Sequence, residues 1–134
     1  MLQVECLTVG ALAENCWIVS DTLAREAVVV DPGDEAPRII DAVVSAGYTV
    51  TAIWLTHAHF DHVGAVAALV RAWSVPVRMH AADQPLYDRA AESAARWGFS
   101  LEAPGVPTVP LAEGDEVQVG SHALDRKSTR LNSS

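Results

Sequence analysis

Residues 52–70 read AIWLTHAHFDHVGAVAALV, and the six positions from His57 to His62 place three histidines and an aspartate between two apolar runs. Burying that many polar groups without strong partners costs several kcal/mol, and a divalent cation is a partner that offsets the cost. Side chains two apart on an extended chain point the same way, so His57 and His59 can reach one ion. Asp61 and His62 lie just beyond, where the backbone turns into a helix, and suit a second ion close by. Imidazole nitrogen and carboxylate oxygen at such a junction suit Zn²⁺, with Fe or Mn as alternatives. One histidine near a strand end is ordinarily a packing or surface residue. Three with an aspartate in six positions are a metal-ligand pattern.

The flanking elements have to hold these groups in place. VTAIWLT, ahead of the cluster, reads as a buried strand, and EAVVVDPG is a continuous β-branched run stopped by Pro32 and Gly33. QVECLTVG and CWIVSD form a hairpin about a turn at Glu14-Asn15. Asp34 can cap a helix that carries Ile40, Val43 and Val44 inward and stops at Gly47. After the cluster, Val63, Val66, Ala67, Val70 and Trp73 mark one face of a second helix. VPVRMH is a short strand. A third helix runs from Asp83 to Trp97, with Leu86, Ala90, Ala94 and Trp97 inward. EAPGVPTVP reads as loop and EGDEVQVGSHAL as a turn and strand. Alternating strands and helices predict an α/β (α+β) mixed sheet with helices packed on its outer face.

With 134 residues, half of them hydrophobic, the chain has room for one domain with a buried core. A net charge of −8 argues against nucleic acid or an anionic membrane as the main partner. No apolar run approaches the roughly 20 residues needed to cross a bilayer, and no secretory signal is evident. A cytoplasmic protein is expected. Cys6 and Cys16 form no CxxC pair and read as small buried apolar residues. Trp54 and Trp73 read as core, His80 and His122 as structural histidines, and Tyr87, Arg89 and Arg96 as a solvated helix face. Residues 126–134, RKSTRLNSS, hold the chain's single lysine and no alanine, valine or acid. They are expected to be a foreign or disordered tail after a domain spanning 1–125.

THAHFDHVGA resembles the HxHxDH signature of the metallo-β-lactamase superfamily. ENCWIVSD, VVVDPG, VTAIWLTH, VPVRMHAAD and LAEGDEVQVG fall in the order that family shows, and are most similar to its glyoxalase II-like, hydroxyacylglutathione hydrolase branch. The resemblance implies that His57 and His59 ligate a first metal and Asp61 and His62 a second, two zinc ions in the intact enzyme. Asp31 would support the site by orienting a ligating imidazole, although an Asp before Pro also serves simply to form a turn. The implied chemistry is metal-dependent hydrolysis of a small-molecule thioester of the S-acylglutathione type, with Asp61 holding and orienting the nucleophile. Other readings are a mono-iron persulfide dioxygenase, a lactonase or a phosphodiesterase, or a non-catalytic metal-binding and interaction module.

By the same resemblance, the family continues after a strand like VQVGSHAL into an HxPGH segment, a bridging aspartate and a final histidine. DRKSTRLNSS stands in their place. The expectation is the first half of an αββα sandwich: a fragment with little activity of its own and weakened metal affinity. Its inner, Val-rich sheet face would be uncovered and prone to self-association.

Overall fold

The computed structural model describes residues 2–56, 59–103, 108–111, 116–120 and 122–125; for Ala81, 108–111, 116–118 and 122–125 the backbone alone is described. The tail at 126–134 and His57 lie outside the described residues. Strands β1 (Leu2–Val9), β2 (Glu14–Asp21) and β3 (Glu26–Val30) form an antiparallel meander. Strands β4 (Thr49–Trp54), β5 (Val77–His80) and β6 (Thr108–Leu111) then add in parallel, giving a six-stranded sheet in the order β1-β2-β3-β4-β5-β6. β7 (Glu116–Val119) and β8 (His122–Asp125) make a separate hairpin. This is the mixed sheet with helices that the pattern of elements predicts.

The parallel pairs need crossovers, and the helices supply them. α1 (Ala36–Ala46) connects β3 to β4, and α2 (Phe60–Val63) with α3 (Val66–Trp73) connects β4 to β5. After β5 a 3₁₀ turn, Ala81–Asp83, leads into α4 (Gln84–Asp88) and α5 (Ala90–Arg96). Ile39 and Val43 of α1 and Val66 and Leu69 of α3 pack on one sheet face, against Ile18, Val29, Ile53, Leu55 and Met79. The other face carries Val19, Val28, Val30, Ala52 and Trp54, with Val119 of β7 packed on it. Alternate residues of β3 and β4 thus enter different cores, which is why both strands read as unbroken apolar runs. The expected open inner face is corrected at these positions: all five are at most 5% exposed.

Several local expectations change. The first turn is Gly10–Ala13, closed by the Ala13 N–H donating to the Gly10 carbonyl at 3.1 Å, so Glu14 starts β2 instead of making the turn. α1 is preceded by Glu35 in the left-handed region at φ 57°, and Asp34 accepts the Glu35 N–H at 2.7 Å rather than capping the helix. Ile39 takes the inward place expected of Val44, which is 65% exposed. The second helix breaks at Gly64-Ala65. The third is split at Arg89, which rotates its faces: Tyr87 is buried, whereas Leu86 is exposed and Trp97 strongly so. Residues 108–110 of the expected loop, with Leu111, form β6, and the closing strand is a hairpin. Cys6 is exposed and Cys16 buried.

Candidate metal centre

The β4 strand delivers the histidine cluster to the sheet rim. Leu55 and Thr56 continue beyond it, and His59 stands in extended conformation ahead of the short helix α2, which holds Asp61 in its first turn and His62 in its last. The His62 N–H donates to the His59 carbonyl at 2.9 Å, so a single turn brings the two rings to centroids 6.5 Å apart. His62 Nε2 lies 3.7 Å from Asp61 Oδ2. Three of the four ligands expected from sequence are therefore neighbours. His57, the fourth, falls outside the described residues.

The opposite side of the His62 ring is acidic and buried. Nδ1 lies 3.2 Å from Asp31 Oδ2 and 3.3 Å from Glu14 Oε1, with both carboxyl side chains at most 5% exposed. Neither contact is a well-aligned hydrogen bond, so the ring nitrogen sits between two acceptors. Asp31 is held from elsewhere too. Its Oδ1 accepts the Thr56 N–H at 2.7 Å, its Oδ2 accepts the Thr56 hydroxyl, and its own N–H donates to Trp54 O at 3.0 Å. Its φ of 54° is left-handed, a conformation that Asp tolerates better than most residues. Asp31 thus ties the end of β3 to the segment entering the cluster, more than the turn-forming role an Asp-Pro pair would need.

Two glycines let these segments close up. A Cβ on Gly33 would lie 2.0 Å from the Asp61 carbonyl oxygen and 2.4 Å from Glu14 Oε2, and one on Gly64 would lie 2.0 Å from the Gly33 carbonyl. The turn after β3 and the helix that carries Asp61 are in backbone contact because neither glycine has a side chain.

The charges are coupled. Burial pushes the Glu14 carboxyl up to about 7, against the pull of His62. Burial opposes charge on His62, but its contacts with Asp31 and then Glu14 outweigh this and hold the imidazole up at about 10. An imidazole anchored to carboxylates through Nδ1 keeps Nε2 as the nitrogen for a cation, the usual carboxylate–histidine–metal arrangement. The described residues that bring ligand atoms within 4.8 Å of one another are Glu14, Asp31 and His62, an imidazole with two carboxylates whose chemistry fits a divalent ion; Asp61 stands on the Nε2 side of that imidazole.

Glu14 is the member that sequence reasoning missed. A signal was present: Glu14, Cys16 and Ile18 alternate, and the last two face the helical core, which makes Glu14 an inward carboxylate. His80 is structural as expected, its Nδ1 accepting the Ala82 N–H at 3.1 Å. His122 falls in β8, where the backbone alone is described. A cleft of about 420 Å³ opens beside His59 and Asp61, walled by Leu12, Phe60, Leu86, Trp97 and Phe99. No helix among the described residues is long and apolar enough to cross a membrane.

Comparison with known proteins gives the geometry a context. The sequence matches the metallo-beta-lactamase superfamily over residues 9–129. It is 31% identical over 121 residues to the probable metallo-hydrolase YqgX of Bacillus subtilis (strain 168), covering 89% of this chain and 56% of that protein. It is 39% identical over 98 residues to a hydroxyacylglutathione hydrolase of Pseudomonas entomophila (strain L48), covering 72% and 37%. Among solved structures, TTHA1623 in a di-iron-bound form is 42% identical and superimposes with a TM-score of 0.78, over 84% of this chain and 56% of that one. The chain spans about half the length of the curated relatives it matches.

Proposed function

The chain belongs to the metallo-beta-lactamase superfamily, and on that premise we propose that it provides the metal-binding rim of a metal-dependent hydrolase acting on a thioester of the S-acylglutathione type. The observation that carries the reading is the two-sided environment of His62, with Asp61 Oδ2 3.7 Å from Nε2 and two buried carboxylates at Nδ1. His59, Asp61 and His62 would hold the cation, together with His57, which the HxHxDH motif assigns to the same ligand set. When bound, the metal acidifies water and polarises a carbonyl oxygen.

The chain's own residues have separate tasks. Asp31 and Glu14 keep the Nδ1 side of His62 occupied, so that Nε2 stays available. Asp61, 32% exposed, would orient a nucleophilic water and accept its proton. The apolar cleft beside His59 and Asp61 suits an acyl group. A thiolate leaving group needs no strong acid, because its pKa lies well below that of an alcohol. The relatives named hydroxyacylglutathione hydrolase support the thioester class. A cytoplasmic setting, where glutathione keeps thiols reduced, suits both that substrate and the two free cysteines.

A second reading rests on the metal. The 42% identical structure is di-iron-bound, which supports iron as the alternative to zinc; the rival activity on iron would be that of a mono-iron persulfide dioxygenase. The test is the metal-loaded protein offered an S-acylglutathione and, separately, glutathione persulfide. Thiol release that needs His59, Asp61 and His62 supports the hydrolase. Sulfite formation by the iron form, with no thioester cleavage by any metal form, overturns it.

A further inference from the structure

Glu14 is buried at the start of β2, its side chain 5% exposed, and neither carboxylate oxygen accepts a hydrogen bond among the described residues. A carboxylate left that way in an interior is unfavourable unless an opposite charge or donor faces it. Positions 16 and 18, on the same face of the strand, carry Cys and Ile in the helical core. Glu14 is the exception on that face, and its Oε1 lies 3.3 Å from His62 Nδ1. Asp31 divides its acceptors: its Oδ1 takes the Thr56 N–H, and its Oδ2, 3.2 Å from the same Nδ1, also receives the Thr56 hydroxyl. The backbone makes room for the second carboxylate, since any side chain at Gly33 would start 2.4 Å from Glu14 Oε2.

We propose that Glu14 is a positioning residue for His62, the second of two buried acceptors that hold its Nδ1 side and so aim Nε2 at the cation beside Asp61. The inference deepens the metal-site reading and rests on it for the cation. The contact itself does not need one. Such partners of a ligating histidine tune metal affinity without touching the metal. Removing Glu14 also removes a carboxylate with no other described acceptor role, so stability and metal affinity should respond in opposite senses. A residue with a merely structural role would lower both together.

The test uses the whole chain with ¹⁵N-labelled histidine. In the metal-free protein, the His62 Nδ1–H should give a resonance protected from exchange with water in the wild type and in Glu14→Gln, which keeps an acceptor. Its protection should fall in Glu14→Leu, where, among the described residues, Asp31 is the one buried acceptor left at Nδ1. Zinc affinity, measured by chelator competition, should fall in Glu14→Leu by about 10–100-fold, with a melting temperature equal to or above the wild type's. Glu14→Ala carries the same readouts if leucine prevents folding. Protection of that resonance undiminished in Glu14→Leu or Glu14→Ala, or zinc affinity unchanged in them, overturns the proposal. Failure of the wild type to bind zinc at all would instead overturn the cation reading, while the Nδ1–H resonance still decides the role of Glu14.

Discussion

Asp31 Oδ2 lies 3.2 Å from His62 Nδ1, and the same buried carboxylate receives both the backbone N–H and the hydroxyl of Thr56. One side chain at the end of β3 therefore fixes both the entrance and the exit of the histidine segment. Asp31→Ala should leave the Thr56 N–H without its acceptor, costing about 1–3 kcal/mol in urea unfolding. It should also lower zinc affinity by about 10–100-fold. Asp31→Asn keeps an acceptor for Thr56 and tolerates a positive φ, so it should recover more stability than zinc affinity. Equal recovery of the two would show that Asp31 acts on the fold alone.

Gly33 and Gly64 predict a steric result. A methyl group on either meets backbone at 2.0 Å, which cannot swing aside. Gly33→Ala should push the Asp61 segment away, with a stability loss of about 1–3 kcal/mol from overpacking and weakened metal uptake. Gly98→Ala is the control. Its φ is 81° but nothing lies within 4 Å of an added Cβ, so it should incur only the left-handed penalty of roughly 1–2 kcal/mol and leave metal uptake intact.

Core and surface assignments along the chain separate cleanly by mutation. Ile53 is fully buried between α1, α3 and the sheet, and Ile53→Ala should cost about 2–5 kcal/mol in chemical denaturation. Trp97 is 73% exposed, so Trp97→Ala should change stability by no more than about 0.5 kcal/mol. A large loss at Trp97 would restore the inward face that helical spacing predicts for it.

Those two residues also mark what the sequence made legible. β3 and β4 were readable because burial on both faces leaves an unbroken β-branched run, and the end of α1 because Gly47 takes the left-handed conformation that closes a helix, φ 77°. The histidine motif was readable because ligand spacing is local. Trp97 and Leu86 were misplaced because the chain breaks at Arg89, and a 3.6-residue period carried across a break assigns the wrong face. Glu14 was missed for a related reason. The turn at Gly10–Ala13 carries a single strong turn residue, so the polar pair Glu14-Asn15 drew the assignment. What makes Glu14 part of the site is its approach to His62 from a distant strand, and that pairing is tertiary.

The proposed function requires His59, Asp61 and His62 to share a divalent cation. The most direct measurement is the metal content and zinc affinity of the purified protein beside His59→Ala, Asp61→Ala and His62→Ala, with folding checked by circular dichroism. The wild type should take up zinc, and His62→Ala and Asp61→Ala should lose it while both remain folded. Zinc bound equally well by all three folded variants would contradict that requirement.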